Sequence, residues 1–65
     1  MNAKDRMVKW LEENQIKTWE EAARDAGREY MYAMHIKAYE EAKIWDMRAQ
    51  FFFRMIDEKR PFPCW

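Results

Sequence analysis

Three charged residues fall within an otherwise apolar helical stripe, and they are the side chains whose types and spacing suggest chemistry. On a helical wheel with about 100° per residue, Lys37, Glu41 and Arg48 lie inside the apolar arc. Lys37 and Glu41, one turn apart, are predicted to form an ion pair whose aliphatic stems pack while the charges reach water. Alternatively, the trio forms a polar layer that fixes the register between partner helices. A catalytic or ligand site is the third interpretation, although no nucleophilic side chain accompanies the trio.

The remaining reactive residue types are too few for a catalytic or metal centre. The 65 residues include one histidine, His35, and one cysteine, Cys64, so no intrachain disulfide can form. A closed structural zinc site usually needs about four such ligands. The sequence contains no glycine-rich phosphate loop and no Ser/His/Asp set. We therefore predict that the protein is not an enzyme and binds no metal or cofactor.

The sequence favours helices along most of its length. It contains one glycine and two prolines, and both prolines lie near the C-terminal end. A first helix is predicted over residues 3–14. Thr18 and Glu21 then form a Thr-x-x-Glu capping box, which marks the start of a second helix. Because no strong stop signal precedes Pro61, this helix is predicted over residues 18–60, with a length of about 63 Å at 1.5 Å per residue.

The predicted long helix carries an apolar face that a short first helix cannot cover. Alanines alternate with methionine and aromatic side chains along it, a size pattern that suits close helix pairing. A chain of this length buries so little surface that a single core is only marginally stable, so oligomerisation is expected. We predict one all-α domain over residues 1–65, a helical hairpin that forms an antiparallel homodimer and hence a four-helix assembly. The residues predicted in the core or dimer interface are Trp10, Trp19, Tyr30, Met34, Ala38, Ala42, Trp45, Ala49, Phe52 and Ile56.

The charge balance and the short tail guide the prediction of partners. Twelve basic residues balance twelve acidic ones, which makes nucleic acid a less favoured partner than protein. No apolar run approaches the ~20 residues of a membrane span, and no signal peptide is evident, so we predict a cytoplasmic, non-membrane protein. The Pro/aromatic tail over residues 61–65 either packs back over Phe52 and Ile56 or presents Phe62 and Trp65 to another protein. The predicted partners are a second copy of the chain and another protein.

Residues 18–27 resemble the first helix and turn of helix-turn-helix DNA-binding proteins. Ala23 and Gly27 match the small residue and the turn glycine of that pattern at their four-residue spacing. The resemblance implies a recognition helix over residues 28–39, and an alternative function as a small DNA-binding regulator. In the other interpretation, Gly27 is a close-packing point or mild kink inside one helix. The DNA contacts that the resemblance implies are Arg28, Tyr30, Tyr32, His35 and Lys37.

In size, charge balance and the absence of a catalytic signature, the chain resembles the small helical accessory proteins of bacteriophage early regions. This resemblance implies regulation of a host or phage process through binding of a macromolecule. The leading functional prediction is therefore a non-enzymatic, self-associating helical protein that acts by protein–protein interaction.

Overall fold

Three α-helices account for most of the chain in the computed structural model, which describes residues 2–62. Helix α1 spans Ala3–Glu13, α2 spans Trp19–His35, and α3 spans Tyr39–Asp57. The described part of the chain contains no strand, so the predicted all-α class is confirmed. The predictions for Cys64 and Trp65 lie outside the described residues.

Side-chain caps fix the starts of α1 and α2. The amide of Asp5 donates to Asn2 Oδ1 at 2.8 Å, and the amide of Glu21 donates to Thr18 Oγ1 at 3.1 Å. These bonds satisfy amides that the first helical turn leaves without an intrahelical partner. The carboxylate of Glu21 accepts from the amide of Lys17 at 3.0 Å, so the reciprocal half of the predicted capping box is shifted by one residue.

The predicted continuous helix over residues 18–60 is wrong, because a turn at Lys37 divides it into α2 and α3. Lys37 has a left-handed φ of 62°. The amide of Ala38 donates to the carbonyl of Ala33 at 2.7 Å, and the amide of Lys37 donates to Met34 at 3.1 Å, which together form a Schellman motif. The turn folds α3 back along α2, so each helix buries its apolar face against the other.

The ends of α1 and α3 repeat this motif. Gln15 and Lys59 each have a φ of 54°, and the amide of the following residue donates to the carbonyl five positions earlier at 3.0 Å. Glycine is the usual residue at such positions, because a Cβ makes the left-handed conformation costly. The sequence therefore ends its helices without the residue that normally signals a helix end.

The single glycine lies instead inside α2. Helix α2 continues through Gly27, and a Cβ added there would meet no heavy atom within 4 Å. Gly27 is therefore neither a turn residue nor a close-packing point. The turn that the helix-turn-helix resemblance implies at Gly27 is absent, and the chain turns ten residues later, at Lys37.

An aromatic core joins the three helices where α1 crosses the hairpin of α2 and α3. Phe52 is fully buried, and its ring centroid lies 5.9 Å from that of Trp19 and 6.1 Å from that of Trp10. Trp10 also meets Trp45 edge-on at 4.9 Å. These contacts anchor α1 on α3. The buried residues of this core are Met7, Leu11, Ile16, Trp19, Ala22, Ala23, Ala26, Phe52 and Met55.

The segment after α3 packs back on Trp19. The indole N–H of Trp19 donates to the carbonyls of Arg60 at 3.1 Å and Pro61 at 3.3 Å. The ring of Phe62 meets the Trp19 ring edge-on, with centroids 4.7 Å apart. Phe62 therefore packs back on the helices, and its described ring contact is with Trp19 of α2.

Candidate binding groove

An open groove of about 500 Å³ lies between the first turns of α1 and the middle of α3. Pockets that bind ligands typically enclose roughly 300–1,000 Å³, so the groove has the size of a binding site. We call it the α1–α3 groove. Its lining residues are Ala3, Lys4, Arg6, Met7, Ile44, Met47, Arg48 and Phe51.

The floor of the groove is apolar, and its side chains recur at helical spacing on both α1 and α3. Positions 44, 47 and 51 recur at three- and four-residue steps along one face of α3, as positions 3 and 7 do on α1. Met47 is 67% exposed and Ile44 is 48% exposed. The groove floor, which leaves apolar surface in water, comprises Ala3, Met7, Ile44, Met47 and Phe51.

The rim of the groove is basic. Lys4, Arg6 and Arg48 line it, and none of the described residues that line it is acidic. None of these three forms an ion pair with another described residue, whereas ion pairs occur elsewhere, as between Lys9 and Glu13. The basic rim therefore carries positive charge that the described part of the chain leaves uncompensated.

Stacking on an indole holds Arg48 in place. Its guanidinium lies 4.7 Å from the centroid of the Trp45 ring, and Trp45 in turn packs on Trp10. Partial burial, and then the charge of Arg6, lower the pKa of Arg48 from its ordinary value. Arginine remains protonated in proteins at neutral pH. Arg6 and Arg48 both line the groove, and a bound anion would stabilise the two like charges.

The predicted polar trio is not assembled by this fold. Lys37 lies in the turn between α2 and α3, Glu41 lies in the first turn of α3, and both are exposed. No ion pair among the described residues joins them. Lys37 would share a helix with Glu41 and Arg48 only in one continuous helix, whereas the chain turns at Lys37 and leaves Glu41 and Arg48 on α3. Of the three, Arg48 alone lines the groove, which Arg6 of α1 also lines.

The residues predicted for the core or dimer interface differ in their exposure. Trp19 and Phe52 are buried in the aromatic core, and Ala42 is buried elsewhere, in the first part of α3. Others remain accessible towards the turn, where Met34 is 42% exposed. The half-buried members of the set are Trp10, Tyr30, Ala38, Trp45, Ala49 and Ile56.

The DNA contacts that the resemblance implies lie in the second half of α2 and in the turn, away from the groove. Arg28, Tyr32, His35 and Lys37 are exposed, and Tyr30 is half-buried. Because the helix-turn-helix turn is absent, these residues do not form a separate recognition helix. DNA binding by these residues stays a prediction.

A second apolar surface surrounds the end of the hairpin. Five large side chains within nine consecutive positions are exposed, with Met31 at 71% and Tyr32 at 63%. Compact monomers rarely leave apolar side chains so concentrated in water unless the surface takes part in binding. We call this surface the hairpin tip, and it comprises Met31, Tyr32, Met34, Ile36 and Tyr39.

Residues 2–62 contain no cluster of His, Cys, Asp and Glu side chains that could hold a metal ion. Over the same residues, no helix has both the length and the apolar character needed to cross a membrane.

Comparison with protein-family models, curated proteins and solved structures finds no match to this chain. Two surfaces of the described chain are therefore the candidates for binding, the α1–α3 groove and the hairpin tip.

Sequence reasoning missed most of the groove, although one signal was present. Lys4, Arg6 and Arg48 each lack an acidic residue three or four positions away, the spacing at which a helical ion pair would neutralise them. Almost every other basic residue in the chain has one. What the sequence could not supply was the placement of α1 beside the middle of α3, which brings the three together.

Proposed function

We propose that the protein is a non-enzymatic binding protein that acts by protein–protein interaction and pairs with a second copy of itself through the hairpin tip. The observation that supports this proposal is the concentration of exposed apolar side chains at the tip. Pairing would remove this surface from water at roughly 25 cal/mol per Å² of apolar area. Met34, which the sequence predicts at a dimer interface, is a member of the tip.

The geometry of the tip suits pairing of two hairpins. Ala33 and Ala42 are buried where α2 and α3 approach each other, so the two helices are close there and the larger side chains point outward. Two such ends packed against each other would give an assembly of four helices built from α2 and α3, rather than from the predicted helices over residues 3–14 and 18–60.

The test is light scattering coupled to gel filtration over a dilution series of the wild-type chain and three variants. Met31→Lys and Tyr32→Lys place a charge on the tip at exposed helical positions, so they should leave the fold intact and favour the monomer. The matched control is Phe53→Lys: Phe53 is 56% exposed but lies 14 residues beyond Tyr39 in α3, or about 21 Å along the axis.

We expect a dimer for the wild type and for Phe53→Lys, and a monomer for both tip variants at the same concentration. A wild-type chain that remains monomeric at high micromolar concentration would exclude self-association. A dimer that survives both tip substitutions but dissociates in Phe53→Lys would place the interface elsewhere.

A further inference from the structure

The α1–α3 groove offers a second binding surface that does not depend on the hairpin tip. It is formed by α1 and the middle of α3, whereas the tip lies at the end of α2 and the start of α3. Its floor is apolar and its rim carries three positive charges. The two features require a ligand that has both an apolar face and negative charge.

The charges of the groove favour an anion from outside the chain. The chain as a whole is neutral, with twelve basic and twelve acidic residues, yet none of the described groove residues is acidic. Arg6 and Arg48 both line the groove, and the guanidinium of Arg48 stacks on the Trp45 ring. A planar guanidinium can donate two parallel hydrogen bonds to a carboxylate, a geometry that lysine cannot provide. The pair is therefore positioned to receive carboxylate groups.

The length of the floor fits two turns of a helix. Ile44 and Phe51 bound the floor on α3, seven residues apart, which corresponds to about 10.5 Å along the axis. A helix that docks in a groove presents its anchor side chains at positions i, i+3 or i+4, and i+7, over the same distance. Met7 and Met47 supply flexible, polarisable side chains that adapt to such anchors. The groove also opens to solvent, as a helix-binding surface must.

We propose that the α1–α3 groove binds an acidic amphipathic helix of another protein, whose apolar side chains cover the groove floor while its carboxylates pair with Arg6 and Arg48. Nucleic acid is a poorer fit because the apolar floor offers nothing to a phosphate backbone, and the basic rim is confined to three residues. The partner helix would supply carboxylates to the rim residues, which have no acidic residue three or four positions away in their own chain.

The experiment is a calorimetric titration of the full chain with synthetic helical peptides. The probe peptide has leucines at i, i+3 and i+7 and glutamates on the flanking positions, and the matched control replaces every glutamate by glutamine. Arg6→Gln and Arg48→Gln each remove one guanidinium from the rim. Arg28→Gln removes an exposed guanidinium from α2, away from the groove, and is the control variant. Sodium decanoate is titrated separately as a small amphipathic carboxylate.

We expect the glutamate peptide to bind at least about tenfold more tightly than the glutamine peptide, since hydrogen bonds to charged groups are stronger than neutral ones. Each rim variant should weaken the glutamate peptide by about tenfold, Arg28→Gln should not, and added salt should weaken binding. If Arg48→Gln loses its stacking on Trp45 and unfolds, Arg6→Gln, whose side chain is exposed, still tests the rim.

Three results would overturn the proposal. Equal affinities for the glutamate and glutamine peptides would show that the rim does not select carboxylates. Binding of decanoate without binding of the peptide would make the groove a site for small molecules. Dissociation of a homodimer by Arg6→Gln in the absence of peptide would identify a second copy of the chain as the occupant. Failure of the tip to self-associate would leave these outcomes unchanged.

Discussion

Replacing Lys37 by glycine and, separately, by alanine tests the turn that divides the predicted long helix. Lys37 has a φ of 62°, and the left-handed conformation costs a residue with a Cβ about 1–2 kcal/mol. Glycine avoids this cost, and its greater freedom in the unfolded chain cancels about 0.4–1 kcal/mol of the gain. We expect Lys37→Gly to be more stable than Lys37→Ala by about 1 kcal/mol, which corresponds to a rise of about 4–8 °C in Tm.

The assay is urea denaturation followed by helical circular dichroism, with both variants at the same protein concentration. In a continuous helix over residues 18–60, position 37 would be interior, and glycine would be about 1 kcal/mol less favourable than alanine. The sign of the difference therefore distinguishes the two architectures. The matched pair Lys43→Gly and Lys43→Ala, at an exposed interior position of α3, should show the sign of a helix interior. A Lys37→Gly variant less stable than Lys37→Ala would refute the turn.

Three further substitutions test the described packing by urea denaturation. Gly27→Ala should raise the free energy of unfolding by about 1 kcal/mol through the higher helix propensity of alanine, because the added methyl group meets no heavy atom within 4 Å; a fall in the free energy of unfolding would indicate a steric contact there. Phe52→Ala should cost about 3–5 kcal/mol because the ring is fully buried, and Phe53→Ala at the exposed neighbouring position should cost far less; similar losses would contradict the core. Thr18→Ala should cost about 1 kcal/mol through loss of the cap on the Glu21 amide, and Thr18→Ser should restore it; no loss in Thr18→Ala would exclude the cap.

Local signals in the sequence predicted the helical class and the start of α2. The bond from the Glu21 amide to Thr18 Oγ1 is formed within a few residues, so it can be recognised without knowledge of the fold. The turn at Lys37 lacked such a signal, because neither glycine nor proline stands there. Its stabilisation comes from the packing of α3 on α2, a tertiary gain that outweighs the local helix propensity of residues 36–38.

The groove was less accessible to sequence reasoning than the fold. Arg48 stood out as a charge within an apolar arc, but the helical wheel grouped it with Lys37 and Glu41. Glu41 does lie on α3 with Arg48, whereas Lys37 would share a helix with them only if α2 and α3 were continuous. In the folded chain Arg48 lines a groove together with Arg6, 42 positions away on another helix. Contacts across such a separation depend on how α1 crosses the hairpin, which is decided by the packing of Trp10 on Trp45.

The contact between Trp10 and Trp45 also has a spectroscopic consequence. Two indole rings 4.9 Å apart and inclined at 62° have transition dipoles that couple, and such a pair gives a circular dichroism couplet that separated indoles do not. Because one ring lies on α1 and the other on α3, the couplet would vanish if α1 detached while the hairpin stayed helical. The protein therefore carries an optical signal, without any label, for local opening of α1 and hence for the presence of the groove.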